Sequence, residues 1–308
     1  MKQKRGLQIS FAWLFAIIVG AIILFLAIYT SIQIIETEET ALDAQTAKEI
    51  SILLNPLETG FETGTSNSVI VPTETRIYNR CSNEGFFGRQ IIKVSQQNFG
   101  EWTETDIDIG FENKYIFSGN FEEGKKFFLF SKPFEFPFKV ADLIYLTSSE
   151  KKYCFIEPPE SISDEISNLN QENLILENCL INSIRVCFNS GNNCDVEVSY
   201  NGKYLDKNNE RMYFYSDSLM YAAVFSDKEV YECQLERIMQ KAEQLSKLYV
   251  DKSNLIAGEG CSTNLIQDLN EISSLEGSFS DSVDLDGYMI NLAENIESKN
   301  KVINCRLW

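Results

Sequence analysis

The hydrophobic positions of this chain open as one unbroken run. Leu7 to Tyr29 reads LQISFAWLFAIIVGAIILFLAIY, and no charge falls between Gly6 and Ile35. As a helix the run is about 35 Å long, enough to cross a bilayer, which predicts a transmembrane helix over 6–35. Lys2, Lys4 and Arg5 lie in a short basic tail (1–5) before it; Glu36, Glu38, Glu39 and Asp43 follow it. Lys and Arg resist translocation, so the tail is expected in the cytoplasm and the remaining ~270 residues outside. The apolar core is too long for a secretory signal peptide and lacks a small-residue cleavage site before Glu36, so the segment reads as a retained anchor. Glu36 to Leu54 is built of good helix formers, with Ala41, Leu42, Ala47, Ile50, Leu53 and Leu54 available to one side. This predicts a stalk helix over 36–56, ended by Asn55-Pro56.

Past a Thr/Gly/Ser/Asn loop the period shortens to that of strands. Ser68–Val71, Thr75–Arg80, Gln90–Val94, Tyr115–Ser118, Lys126–Phe130 and Lys139–Leu146 read as short strands between turn residues. Phe127, Phe128, Phe130, Phe134, Phe136 and Phe138 form the densest aromatic cluster in the chain. They read as core beneath a sheet, with an open ligand groove as the alternative. Pro158-Pro159 breaks the chain before a short helix, Ser161–Leu169. Ile184–Phe188 and Asp195–Tyr200 flank Ser190-Gly191-Asn192-Asn193, the signal of a hairpin, and Asn201-Gly202 turns the chain toward Lys203–Leu205. Arg211–Tyr215 and Leu219–Phe225 complete the strands. From Lys228 the apolar spacing turns helical, predicting helices over Lys228–Tyr249, Ser262–Leu275 and Val283–Lys299. The fold class expected is α+β: a transmembrane and stalk helix, an antiparallel β-rich outer domain (57–227), and a helical C-terminal unit (228–308).

Charge and cysteine usage sharpen this picture. The net charge of −18 over 308 residues repels phosphate backbones and excludes nucleic acid as the expected partner. No asparagine sits in N-x-S/T, so solubility outside the cell falls to the carboxylates. All eight cysteines (Cys81, Cys154, Cys179, Cys187, Cys194, Cys233, Cys261 and Cys305) follow the apolar run. With no histidine and no CxxC pair, they read as disulfides in an oxidising compartment rather than as metal ligands. Cys187 and Cys194 flank the predicted turn and are paired first. Cys261 and Cys305 are paired next, as the ends of an antiparallel helix pair. Cys81 goes with Cys154 in the first β region, leaving Cys179 with Cys233 by elimination.

Candidate chemistry is sparse. Without an imidazole there is no histidine-based catalysis, and no GxSxG, P-loop or GxGxxG occurs. Two SxxK strings, Ser149/Lys152 and Ser298/Lys301, are of the kind that arises by chance. Asp284-Leu285-Asp286-Gly287 carries the kernel of a calcium loop, but Ser282 and Ala293 stand at two ligand positions. Asp281, Asp284 and Asp286 therefore read as caps of the following helix. Asp106, Asp108 and Glu112 alternate with Ile107 and Ile109, as on a strand with one wet face. No cofactor and no metal is expected.

Lys4-Arg5-Gly6, then Gln8-Ile9-Ser10-Phe11 and Leu14, resemble the class III signal of archaeal type IV pilin-like proteins. In that family a basic and a small residue precede the cut, and QxSxE opens a long hydrophobic helix. The resemblance implies processing after Gly6, with Lys4, Arg5, Gly6, Gln8 and Ser10 as the motif. Leu7 is inserted before Gln8, and Ala12 stands where the family has the glutamate that pairs with a neighbour's new N-terminal amine. That departure points away from a major filament subunit and leaves an initiating minor subunit or an unprocessed anchor. Cys233 in YEC, the Gly260-Cys261 pair and the terminal NCRLW resemble membrane-anchored proteins of small-genome archaea. The expected function is a non-catalytic, membrane-anchored extracytoplasmic surface or pilin-like assembly protein, with the lipid bilayer and pilin-like or other membrane-protein subunits as partners. The alternatives are an anchored hydrolase using carboxylates and a surface ligand-binding module.

Overall fold

The computed structural model describes residues 13, 15–31, 33 and 66–308, apart from 86, 99, 105–107, 177, 189–192, 262, 275–278 and 286. Helix α1 covers 15–31. This corrects the transmembrane expectation: among the described residues no helix is long and apolar enough to cross a membrane. The basic tail, the processing motif (Lys4, Arg5, Gly6, Gln8, Ser10) and the stalk over 36–56 lie outside the described residues.

The first sheet contains β1 (Ser66–Ser82), β2 (Arg89–Asn98), β3 (Glu101–Glu104), β4 (Ile109–Phe111), β5 (Tyr115–Phe117), β6 (Phe121–Glu135) and β7 (Lys139–Ser148). Its order is β3-β2-β1-β6-β7-β5, with β4 also on β2. The long β1 pairs with both β2 and β6, and its register against β6 shifts between Ile70 and Thr75. Pro72 lies in that interval and has no N–H to give the ladder. The sheet is curled: Ile92 and Val94 of β2 meet Ile116 of β5 and Ile144 of β7 in one buried cluster. The outer backbone edge of β5 is satisfied by side chains. Ile116 N donates to Gln90 Oε1 at 3.2 Å, and Asn79 Nδ2 donates to Ile116 O at 3.1 Å.

The second sheet contains β8 (Tyr153–Ile156), β9 (Leu174–Ile175), β10 (Ile184–Phe188), β11 (Val196–Ser199), β12 (Tyr204–Lys207) and β13 (Glu210–Tyr213), in the order β13-β12-β11-β10-β8-β9. The expected antiparallel architecture is corrected here. β8–β9, β8–β10, β10–β11 and, in the first sheet, β5–β7 are parallel pairs, so both sheets are mixed. The hairpin between Ile184–Phe188 and Asp195–Tyr200 is likewise absent, since Val186 lies beside Val196 in a parallel register. One reversal of the chain yields antiparallel strands; a second restores the direction. Asn193, at φ 65°, adopts the left-handed conformation. Asp195 then locks the register, its carboxylate accepting from Arg185 N at 2.8 Å and its own N–H donating to Arg185 O at 3.0 Å.

Helix α2 (Glu160–Leu169) crosses between β8 and β9. Helix α3 (Asp217–Phe225) occupies much of the segment expected as a last strand, Leu219–Phe225. Seven apolar residues in a row suit a buried strand or a buried helix equally; here the Ser216 hydroxyl accepts from Leu219 N and starts a helix. Every residue of α3 from Ser218 to Phe225 is buried. Phe130 and Tyr145 of the first sheet and Tyr153 and Phe155 of the second pack edge-on against Tyr221 or Phe225 of this helix. A helix apolar all round belongs inside a core, and α3 is the centre of this one.

The chain closes with α4 (Lys228–Gly258), α5 (Ile266–Ser273), a 3-10 turn (Ser282–Asp284) and α6 (Gly287–Val302). Tyr231, Leu235, Ile238, Leu269 and Ile296 from this part enter the same core cluster as Phe130 and Phe155, so these helices and both sheets share one interior. The aromatic cluster is core: Phe127, Phe128, Phe130, Phe134, Phe136 and Phe138 are all buried, and none lines a groove. Asp281 does cap, accepting from Val283 N at 2.8 Å in a capping box with Asp284, although the element capped is the 3-10 turn. Asp286, like Asp106, lies outside the described residues.

All eight cysteines are bonded, as Cys187–Cys194, Cys261–Cys305, Cys81–Cys233 and Cys154–Cys179. The first two coincide with the expected pairs, although Cys194 sits in the return arm before β11 and not on a hairpin strand. The expected Cys81–Cys154 and Cys179–Cys233 bridges are corrected. α4 packs along β1 and brings Cys233 to Cys81, while the segment after β9 returns Cys179 to β8 within 25 residues of Cys154. Four such bridges are consistent with an oxidising, extracytoplasmic location.

Candidate functional site

Four stretches of the chain meet in one open cleft of about 560 Å³. Lys132, Pro133 and Glu135 come from the end of β6, Lys203 from the turn before β12, Tyr215 to Ser218 from the entry into α3, and Ile290, Glu294 and Glu297 from α6. The placement follows from local chemistry. Ser216 caps α3, so Asp217 falls in its first turn, where the free N–H groups favour an acidic side chain. Glu294 and Glu297 are three residues apart and share the outward face of α6, whose inner face buries Leu292, Ala293 and Ile296.

Four carboxylates face two ammonium groups in this cleft, and the cations are already engaged. Lys132 Nζ donates to Glu165 Oε2 at 2.6 Å and lies 5.0 Å from the Tyr221 ring centre. Lys203 Nζ lies 4.7 Å over the Tyr200 ring. Tyr200 OH donates to Asp217 Oδ1 at 2.7 Å, and burial together with that bond pushes its phenol up to about 12. Burial also pushes Tyr215 up to about 12, with the charges of Glu294, Glu297 and Glu135 adding to the effect. Both phenols are therefore neutral hydrogen-bonding groups at ordinary pH.

The cleft can bind and orient a polar ligand. For nucleophilic chemistry it offers Ser216 and Ser218, whose hydroxyls lie 2.7 Å from each other with no imidazole in the chain to activate either. The carboxylates on α6 stand in water: Glu294 is exposed, and Glu297 is paired with Lys301. A carboxylate hydrolase instead needs one acid held in a dry environment and a second left ionised.

None of these lining residues was singled out in the sequence, because they come from four separate segments. The Ser216-Asp217-Ser218 string before an apolar run was the one readable sign, a helix start. Of the SxxK strings, Ser298 and Lys301 are exposed on α6, and Lys301 pairs with Glu297 and not with Ser298. Among the described residues no group of three or more His, Cys, Asp or Glu side chains is arranged to hold a metal ion.

A second polar feature is buried. Asn79, Gln90 and Gln234 form a chain of amide hydrogen bonds between the first sheet and α4. It continues to Arg237, which is fully buried and donates to Gln234 Oε1 at 2.6 Å and to the carbonyls of Phe87 (2.9 Å), Lys114 (3.1 Å) and Glu112 (2.8 Å). Comparison with known proteins adds no relative: no family model, no curated protein and no solved structure matches this chain.

Proposed function

We propose that this chain is a non-catalytic extracytoplasmic surface protein that acts as a subunit of a larger, pilin-like assembly, joined through α1. The observation that carries the reading is α1 itself. Apart from Val19 and Gly20, every residue of 15–31 is exposed, among them Phe15, Ile18, Ile23, Leu24, Phe25 and Tyr29. A helix apolar on all sides is stable only when it is covered, and the α1 helices of other subunits offer a matching apolar cover. The four disulfides and the net charge of −18 suit the remainder to an oxidising, aqueous exterior. Ala12, in place of the glutamate of the pilin-like pattern, fits a minor subunit better than the repeating one. Site-specific photo-cross-linking of the full chain from position Phe25 tests this. Cross-links to α1 of another copy or of a pilin-like partner are expected, and their loss in an Ile23→Asp, Leu24→Asp variant. A monomeric full chain without cross-links would sink the reading.

The cleft favours a second reading, a surface module that binds a polar ligand. Its volume is that of a small-molecule site, and its carboxylates Glu135 and Glu294 have no cation bonded to them among the described residues. Equilibrium binding of small cationic ligands to the full chain, lost in Glu294→Gln with Glu135→Gln, would favour it over the assembly reading.

A further inference from the structure

A second pocket, lined by three lysines, lies away from the cleft. At the β5 edge, Asn113 and Lys114 from the loop before β5, Lys139 and Asp142 from β7, and Lys241 from α4 line a pocket of about 310 Å³. Arg237 stands one helical turn before Lys241 and holds the same loop from behind through the carbonyls of Glu112 and Lys114. Both cations flank one ring: the Arg237 guanidinium lies 4.9 Å from the centre of Tyr115, and Lys241 Nζ lies 5.5 Å from it. Asp142 is the carboxylate in the lining of this pocket, and Lys139 Nζ already pairs with it at 2.9 Å.

Lys241 is the telling group. Among the described residues its ammonium has no hydrogen-bond or ion-pair partner, and it lies against the Tyr115 ring. Burial holds it below the usual lysine range; Asp142 opposes this, while Arg237 and Lys139 reinforce it. Placing a half-buried lysine beside a buried arginine costs stability unless an anion completes the set. We propose that this pocket binds a phosphate group, free or as the monoester of a small molecule. Lysine ammonium groups act on phosphate as rotatable point charges, whereas a carboxylate is best held by the planar fork of an arginine. Here the one arginine has its fork filled by backbone carbonyls, so the pocket itself presents ammonium groups alone.

The test uses the full chain, with inorganic phosphate as the probe and sodium chloride at matched ionic strength as the control. Calorimetry is expected to show saturable binding with Kd of about 1 mM or tighter, and phosphate to raise the thermal midpoint above the chloride control. Lys241→Met should weaken phosphate binding roughly tenfold or more, while leaving the phosphate-free midpoint equal to or above that of the parent, because the uncompensated charge is gone. Lys139→Gln, at an exposed position, is the second variant and should also weaken binding. Tighter binding of a small phosphate monoester than of phosphate assigns the site to a phosphorylated small molecule; equal binding assigns it to free phosphate. Phosphate effects no larger than those of chloride, or unchanged binding in Lys139→Gln and Lys241→Met, would overturn the proposal, as would preference for a dicarboxylate such as succinate.

Discussion

Cys81, at the end of β1, is bonded to Cys233, in the second turn of α4, with their Cα atoms 6.1 Å apart and a sequence separation of 152. The bridge joins the first sheet to the helix that covers it, near where Gln234 and Arg237 reach across to β5 and its preceding loop. Removing it releases the largest loop closed by any of the four disulfides. In the chain-entropy account, Cys81→Ser with Cys233→Ser should cost about 4–5 kcal/mol, against about 2–3 kcal/mol for the Cys187–Cys194 bridge, which closes a loop of few residues. Urea unfolding of the two double variants checks the ranking. Equal losses would mean that the long loop is held closed by other contacts in the unfolded chain.

Arg237 should be among the residues least tolerant of truncation. Its guanidinium satisfies three backbone carbonyls and, among the described residues, pairs with no carboxylate, so Arg237→Ala would leave those carbonyls dry and a cavity behind. A loss of about 3–5 kcal/mol is expected. Arg237→Lys should recover little, because one ammonium cannot span donors set out in a fork. Denaturant midpoints decide it, and near-complete rescue by lysine would show that charge matters here more than geometry.

Alkaline pH should unfold the protein through its phenols. Burial pushes Tyr115 up to about 12, and it holds Tyr145, Tyr153 and Tyr231 well above the usual tyrosine range. A folded value raised above the unfolded one means that the unfolded chain releases its proton first. The contribution is therefore fully present below about pH 10 and is lost as pH rises through 12, with Tyr115 alone accounting for up to about 3 kcal/mol. Tyr115→Phe should lessen the alkaline loss while leaving neutral stability unchanged or slightly higher, since the Tyr115 hydroxyl is buried without a hydrogen-bond partner. Stability measured across this pH range in both proteins gives the answer; parallel curves would count against it.

Ser282 joins the 3-10 turn to two other elements. Its hydroxyl donates to Glu232 Oε1 at 2.7 Å and accepts from Tyr213 N at 3.0 Å, and its own N–H donates to Glu232 Oε2 at 2.6 Å. The turn thereby covers the β13 edge, which would otherwise present a free backbone donor. Ser282→Ala should cost about 1–3 kcal/mol, and amide exchange should speed up at Tyr213 more than in β12, which is paired on both sides. Uniform exchange along both strands would show that the turn does not guard the edge.

The local sequence was enough to determine the elements whose signal is periodic or terminal. Most strands of the first sheet, though not β3, the stripe that became α4, the Pro158-Pro159 break before α2 and the capping role of Asp281 all depend on residues a few positions apart. The Cys187–Cys194 pair belongs with them, since seven residues of chain could bring the two together whichever way the strands ran. What the sequence left open depends on contacts distant along the chain. Leu219–Phe225 is apolar throughout, and only its insertion between two sheets makes it a helix. The parallel run of β10 and β11 rests on the pairing of Asp195 with Arg185 and of Val196 with Val186, which the turn residues Ser190 to Asn193 do not announce. Cys81 chose Cys233 over Cys154 because α4 lies along β1, and neither cysteine's neighbours encode that packing. The apolar run was plain in the sequence, but its length alone could not establish a membrane span. The cleft between Glu135, Asp217 and Glu294, and the lysine pocket at the β5 edge, arise wholly from folding: each gathers side chains whose local roles are only those of a strand end, a helix start or an outer helix face.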